Sequence, residues 1–130
     1  MKFMLMMNAP KGTGDWGVQK WSEADFKAHI DFMHRINTEL KAAGELVGAE
    51  GLGAPKDARI VRAGKQGEPL VTDGPFAETK EFLAGYWIVQ CDSAHRAYEL
   101  AAKASAAPGP GGVPLSFPIE VREVQSAPKA

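Results

Sequence analysis

The chain has 130 residues, 45% hydrophobic and 24% charged, enough for one domain with a core and too ordinary in balance for disorder. With 15 basic and 16 acidic residues its net charge is −1, which leaves no electrostatic footprint for direct nucleic-acid binding. A single cysteine, Cys91, excludes an internal disulfide; the apolar run Phe3 to Met7 is too short for a signal-peptide core and nothing approaches a membrane span, so a cytoplasmic protein without membrane partners is expected.

Lys2 to Asn8 (KFMLMMN) is a short apolar run ending at Ala9-Pro10 and reads as a strand. A Gly-rich loop follows over Lys11 to Lys20. Its Gly12-Thr13-Gly14-Asp15-Trp16-Gly17 matches G-x-G-x-x-G as a string, but Val18 to Ser22 separate the third glycine from the next helix start. A dinucleotide fingerprint needs that glycine to open the helix, and it needs a crossover helix between the next two strands, which a short turn here replaces. The segment therefore reads as a loop over a pocket mouth.

Ser22 is placed as an N-cap, with Asp25 three residues on as its reciprocal partner. The helix expected over about Glu23 to Ala43 carries Phe26, Ile30, Met33, Ile36 and Leu40 on one face, and Gly44 ends it. His29 and His34 lie five residues apart, roughly 140° around a helix, and cannot share a metal ion. His95 falls on the outward side of the second helix and no Cys or carboxylate cluster completes a ligand set, so neither metal nor cofactor is expected. His29 reads as a satisfied histidine at the core edge; His34, at the opposite border of the stripe, is a candidate ligand contact. Asn37 sits inside the apolar face beside Ile30 and Met33, so its amide either bonds the sheet backbone or faces a polar cavity beneath the helix.

Leu46 to Ala49 reads as a strand, Gly51 to Asp57 as a turn, and Ala58 to Ala63 (ARIVRA) as a third strand, with Pro69 to Val71 extending a small hairpin. Phe82 to Cys91 (FLAGYWIVQC) is the most strongly apolar strand. Ser93 caps a second helix to about Ala106; Pro108 to Gly112 breaks the chain; Phe117 to Val124 alternates as a last strand. Residues 1–125 form one domain and 126–130 a loose tail. The order β-α-β-β-(hairpin)-β-α-β is the ferredoxin-like βαββαβ pattern of an α+β protein, an antiparallel sheet with two helices on one face. Two strands are apolar on both sides: Phe82, Tyr86 and Ile88 against Leu83, Trp87 and Val89, and Phe3, Leu5 and Met7 against Met4 and Met6. Two helices cover one face only, so a second copy is expected to cover the other, as a homodimer.

Val71 to Glu81 (VTDGPFAETKE) carries the most unusual pattern. Asp73-Gly74-Pro75 makes a rigid turn, because proline biases the preceding residue away from helical angles and Asp caps turns with its own carboxylate. The segment is open to two readings: a turn feeding the central strand with Lys80 solvated between Glu78 and Glu81, or a pocket into which Asp73 and Glu78 point, with Phe76 as an apolar wall. A carboxylate desolvated there could move protons.

These residues also carry a resemblance. VTDGPFAETKEFLAGYWIV is similar to the signature of the DGPF proteins, a branch of the YCII-related family. Asn37 to Val47 with Glu50-Gly51-Leu52 resembles the family's N-x-E-L-x-x-A-G block and the E-G-L after it, and Ile119-Glu120-Val121-Arg122 its closing strand. The resemblance implies a dimeric α+β barrel and no assigned reaction. Distant relatives include small lyase- or dehalogenase-type enzymes with a His/Asp pair; His34 is only near the relevant helical position, and the second helix has no matching Asp. Some DGPF proteins occur beside alternative sigma factors. Two functions are therefore expected to compete. One is a cofactor-independent lyase or isomerase acting on a small polar or aromatic molecule, with Asp73 as acid/base and Asn37, His34, Phe76 and Glu78 in a barrel-mouth cleft. The other is a non-catalytic sensing dimer acting in transcription control through a protein partner.

Overall fold

A computed structural model describes residues 1–10, 20–75 and 80–125. Its elements are β1 (Lys2–Pro10), α1 (Glu23–Ala42), β2 (Leu46–Gly51), β3 (Arg59–Ala63), β4 (Pro69–Asp73), β5 (Glu81–Gln90), α2 (Ala94–Ser105) and β6 (Ile119–Glu123). β2, β5, β1 and β6 lie side by side in that order, every neighbouring pair antiparallel. This is the ferredoxin-like α+β arrangement that the element order implies. The β3–β4 hairpin forms a separate two-stranded sheet.

Local chemistry sets the helix ends. The Asp25 amide donates to Ser22 Oγ at 3.1 Å and the Arg96 amide to Ser93 Oγ at 3.2 Å, so both predicted N-caps form. Asp25 makes no return bond to Ser22; its carboxylate is one methylene shorter than the Glu usual at that position. At the far end of α1, Gly44 takes φ +70°, its amide bonds the Lys41 carbonyl at 3.1 Å, and the Glu45 amide bonds that of Leu40 at 2.9 Å. That pair of bonds is the Schellman closure, which a residue with a Cβ would strain.

The core lies between the sheet and the two helices. Phe3, Leu5, Trp87 and Val89 from the strands meet Ile36 and Leu40 of α1 and Ala97, Leu100, Ala101 and Ala104 of α2. Cys91 is buried with them, while His95 is exposed on the outer side of α2. The apolar stripe of α1 divides along its length. Ile36 and Leu40 enter the core, Ile30 and Met33 lie further toward the N-terminus over a cavity, and Phe26 in the first turns stays 44% exposed.

Strict alternation along β5 fails at one place. Met7 pairs with Gly85 but Asn8 pairs with Leu83, so Ala84 has no partner in β1. A one-residue slip exchanges faces, so Leu83 shares the side of Asn8 and Phe82 that of the buried Ala9, the reverse of the expected sides for Phe82 and Leu83. Beyond the bulge the expected division holds. Trp87 and Val89 face the helices; Tyr86 and Ile88 pair with Met6 and Met4 on the opposite side, where no helix of the described residues packs and all four are half-buried.

Candidate functional site

The strands beneath the N-terminal half of α1 are built from the smallest residues. Gly51 of β2 pairs directly with Gly85 of β5, and Ala49 pairs with Trp87. Two adjacent residues without Cβ atoms leave the helix standing off the sheet. The result is a cavity of about 290 Å³, within the size range of small-molecule sites. α1 contributes His29, Ile30, Met33 and Asn37, which fall within roughly 100° of one another on the helix. Met7, Ala49, Glu50, Gly51, Gly85, Tyr86 and Trp87 line the sheet side. The walls are therefore mostly apolar, and α1 sets two polar groups, His29 and Asn37, into them.

Both polar groups are held by long-range bonds. Trp87 Nε1–H donates to Asn37 Oδ1 at 2.8 Å, linking α1 to the central strand across the cavity wall. Asn37 thus lines a cavity beneath the helix, and its partner is a side chain of the sheet, not the sheet backbone. His29 Nδ1 lies 3.0 Å from the Pro108 carbonyl oxygen, and the Trp21 ring stands edge-on to the imidazole at 5.5 Å between centroids. The segment after α2 therefore fixes the ring of a histidine 79 positions earlier. Periodicity placed His29 at the edge of the stripe, but a carbonyl acceptor so distant in sequence gives no local signal.

The other sequence candidates lie elsewhere. His34 is exposed, its backbone carbonyl accepts from Thr38 Oγ1 at 2.9 Å, and it does not line the cavity. Asp73 ends β4 with its side chain 93% exposed and its carboxylate 3.7 Å from Arg59 Nε. The Gly74 amide bonds the Ala58 carbonyl at 3.0 Å, which ties the Asp-Gly-Pro turn to the start of β3, and the Gly74–Pro75 peptide is cis. Asp73 and Asn37 are not brought together around one hollow. Phe76, Glu78 and the glycine-rich loop 11–19 lie outside the described residues.

A larger hollow of about 520 Å³ opens beside the start of α2, lined by Glu45, Cys91, Ser93 and Arg96. Two of its charged groups serve the fold: Arg96 Nε and a terminal guanidinium nitrogen each donate to the Glu45 carboxylate at 2.9 Å. That bidentate bond, more than any other influence, holds the Glu45 carboxyl below the usual carboxylate range and raises Arg96 further. Among the described residues no group of three or more His, Cys, Asp or Glu side chains could hold a metal ion. No helix among them is long and apolar enough to cross a membrane.

The sequence model of the YCII-related domain matches residues 1–113. The chain belongs to the YCII-related family. This YCII-related chain is also similar to an uncharacterised protein of Rhizobium meliloti (strain 1021), 32% identical over 81 residues. That match takes in 62% of this chain and 64% of the relative, under two thirds of the relative's own length.

Proposed function

We propose that this YCII-related protein binds a small aromatic or polar molecule in the cavity between α1 and the sheet, with Asn37 and His29 as its polar contacts. The observation that carries this reading is the Asn37–Trp87 bond at the wall of a 290 Å³ apolar cavity. A buried indole N–H fixes the oxygen of an amide that lines the hollow, an arrangement suited to orienting a ligand. In the catalytic form of this reading the protein is a cofactor-independent lyase or isomerase, and His29 is the proton-transfer group nearest the ligand. Asp73 belongs instead to the surface of the hairpin, where Arg59 faces it.

A non-catalytic sensing role is supported by one specific feature. Both polar groups that α1 sets into the cavity are already engaged structurally, His29 with Pro108 and Asn37 with Trp87, and no carboxylate hydrogen-bonds His29 among the described residues. A thermal-shift screen of phenols, lactones and aromatic ketones, followed by mass analysis of each stabilising compound after incubation, separates the two. A compound recovered unchanged supports sensing; one recovered altered supports catalysis. No stabilisation by any compound, or equal stabilisation of an Asn37→Leu variant, overturns the cavity assignment.

The functional unit in this reading is a homodimer closed through the open sheet face. Met4, Met6, Tyr86 and Ile88 form an apolar patch there, flanked by Glu120 and Arg122 of β6. Light scattering on wild type and a Met6→Glu variant tests it: a dimer that becomes a monomer supports the interface, and a wild-type monomer removes it.

A further inference from the structure

If the α1 cavity is the binding site, as proposed above, its two polar groups define what it selects. A carbonyl oxygen has no proton to give, so at 3.0 Å from Pro108 it is His29 Nδ1 that carries the hydrogen. In the neutral ring Nε2 is then a lone-pair acceptor. The logic reverses at Asn37. An indole N–H only donates, so the amide oxygen is the atom facing Trp87, and the amide NH2 keeps its donors, with no described residue accepting from them. The cavity therefore offers an acceptor at one end and a donor at the other.

Their placement sets the polarity of the ligand at its two ends. His29 and Asn37 are eight residues apart on α1, roughly 12 Å along the axis. A ligand that meets both groups therefore carries its donor and its acceptor at opposite ends. Ile30 and Met33 of α1 and Trp87, Gly51 and Gly85 of the sheet line the cavity with them. No cation lines the cavity among the described residues and Glu50 lines it, so a carboxylate or phosphate would be desolvated without compensation.

We infer that the cavity selects an uncharged para-hydroxyphenyl carbonyl compound, its phenol donating to His29 Nε2, its carbonyl accepting from the Asn37 amide, and its ring between Met33 and Trp87. A para-disubstituted ring carries its two polar groups at opposite ends, and its flat faces suit the paired glycines.

The test is calorimetric titration of wild type, His29→Asn and Asn37→Asp with para-hydroxyacetophenone, acetophenone and para-hydroxybenzoate. His29→Asn keeps an amide N–H where Nδ1 meets Pro108 and removes Nε2. Asn37→Asp keeps an acceptor for Trp87 and removes the donors. Wild type is expected to bind para-hydroxyacetophenone about tenfold more tightly than acetophenone, and para-hydroxybenzoate more weakly than either. His29→Asn should bring the two ketones to near-equal affinity by weakening only the hydroxylated one, whereas Asn37→Asp should weaken both. A hydroxyl preference absent from wild type, or intact in His29→Asn, overturns the inference and leaves the cavity assignment standing. Failure of wild type to bind all three compounds overturns both.

Discussion

Removing the Asn37–Trp87 bond is a direct perturbation of the site. Trp87 is 5% exposed, so in an Asn37→Leu variant of similar side-chain volume its indole N–H is left without an acceptor. An orphaned buried donor costs about 1–3 kcal/mol. Trp87→Phe removes the donor itself. It gives up about 1 kcal/mol of hydrogen bond and about 1 kcal/mol for roughly 40 Å² of lost apolar burial. In the double variant the bond cannot be lost twice, so the coupling between the two changes should be about 1 kcal/mol. Urea unfolding of all four proteins measures it, at one fixed protein concentration because a dimer's stability depends on concentration. A coupling indistinguishable from zero, with both single variants cooperatively folded, would refute the bond as the element joining α1 to β5.

Three further outcomes follow from the same geometry. A Cβ added at Gly85 would lie 3.1 Å from the Glu50 carbonyl oxygen and 3.4 Å from Met7 Cε; the methionine can move but the paired strand cannot, so Gly85→Ala should lose roughly 1 kcal/mol in chemical denaturation and weaken ligand binding. Glu45→Gln should lose roughly 1 kcal/mol at neutral pH, a modest figure because the Arg96 side chain is 43% exposed. Since Arg96 lowers the folded Glu45 carboxyl below its ordinary value near 4.5, that contribution is complete above this value and is lost as pH falls through the folded one; unfolding curves of wild type and variant should converge in acid, and a constant gap at every pH would contradict the assignment. Asp73→Asn, at a side chain 93% exposed, should change stability by less than about 0.5 kcal/mol and leave ligand affinity unchanged in titration.

What the sequence made legible is what depends on neighbours along the chain. Ser22, Ser93 and Gly44 announce helix ends because capping is satisfied within a few residues, and the 3.6-residue period put Asn37 on the inner face of α1. Element order and antiparallel pairing then determine β2-β5-β1-β6. The site itself depends on pairings made across the fold. Asn37 meets Trp87 fifty positions later and His29 meets Pro108 seventy-nine later, and nothing beside either residue marks its partner. The bulge at Ala84 is equally hidden, since it is a property of the register between β1 and β5 and not of either strand alone. The Asp-Gly-Pro turn drew attention because its residues are chemically conspicuous, yet the described part of it ties β4 to β3 at the surface. The glycines that make the cavity carry no side-chain chemistry at all; they matter because Gly51 and Gly85 fall side by side.

The most direct test of the α1 cavity as the binding site is a nitrogen–proton correlation spectrum recorded while phenols and aromatic ketones are titrated in. The account predicts that the Trp87 indole N–H and the Gly85 amide move together and saturably, while the Asp73 and Gly74 amides stay in place. Movement confined to Asp73, Gly74 and the β3–β4 hairpin, with the Trp87 indole unshifted, would contradict it and put the site at the turn.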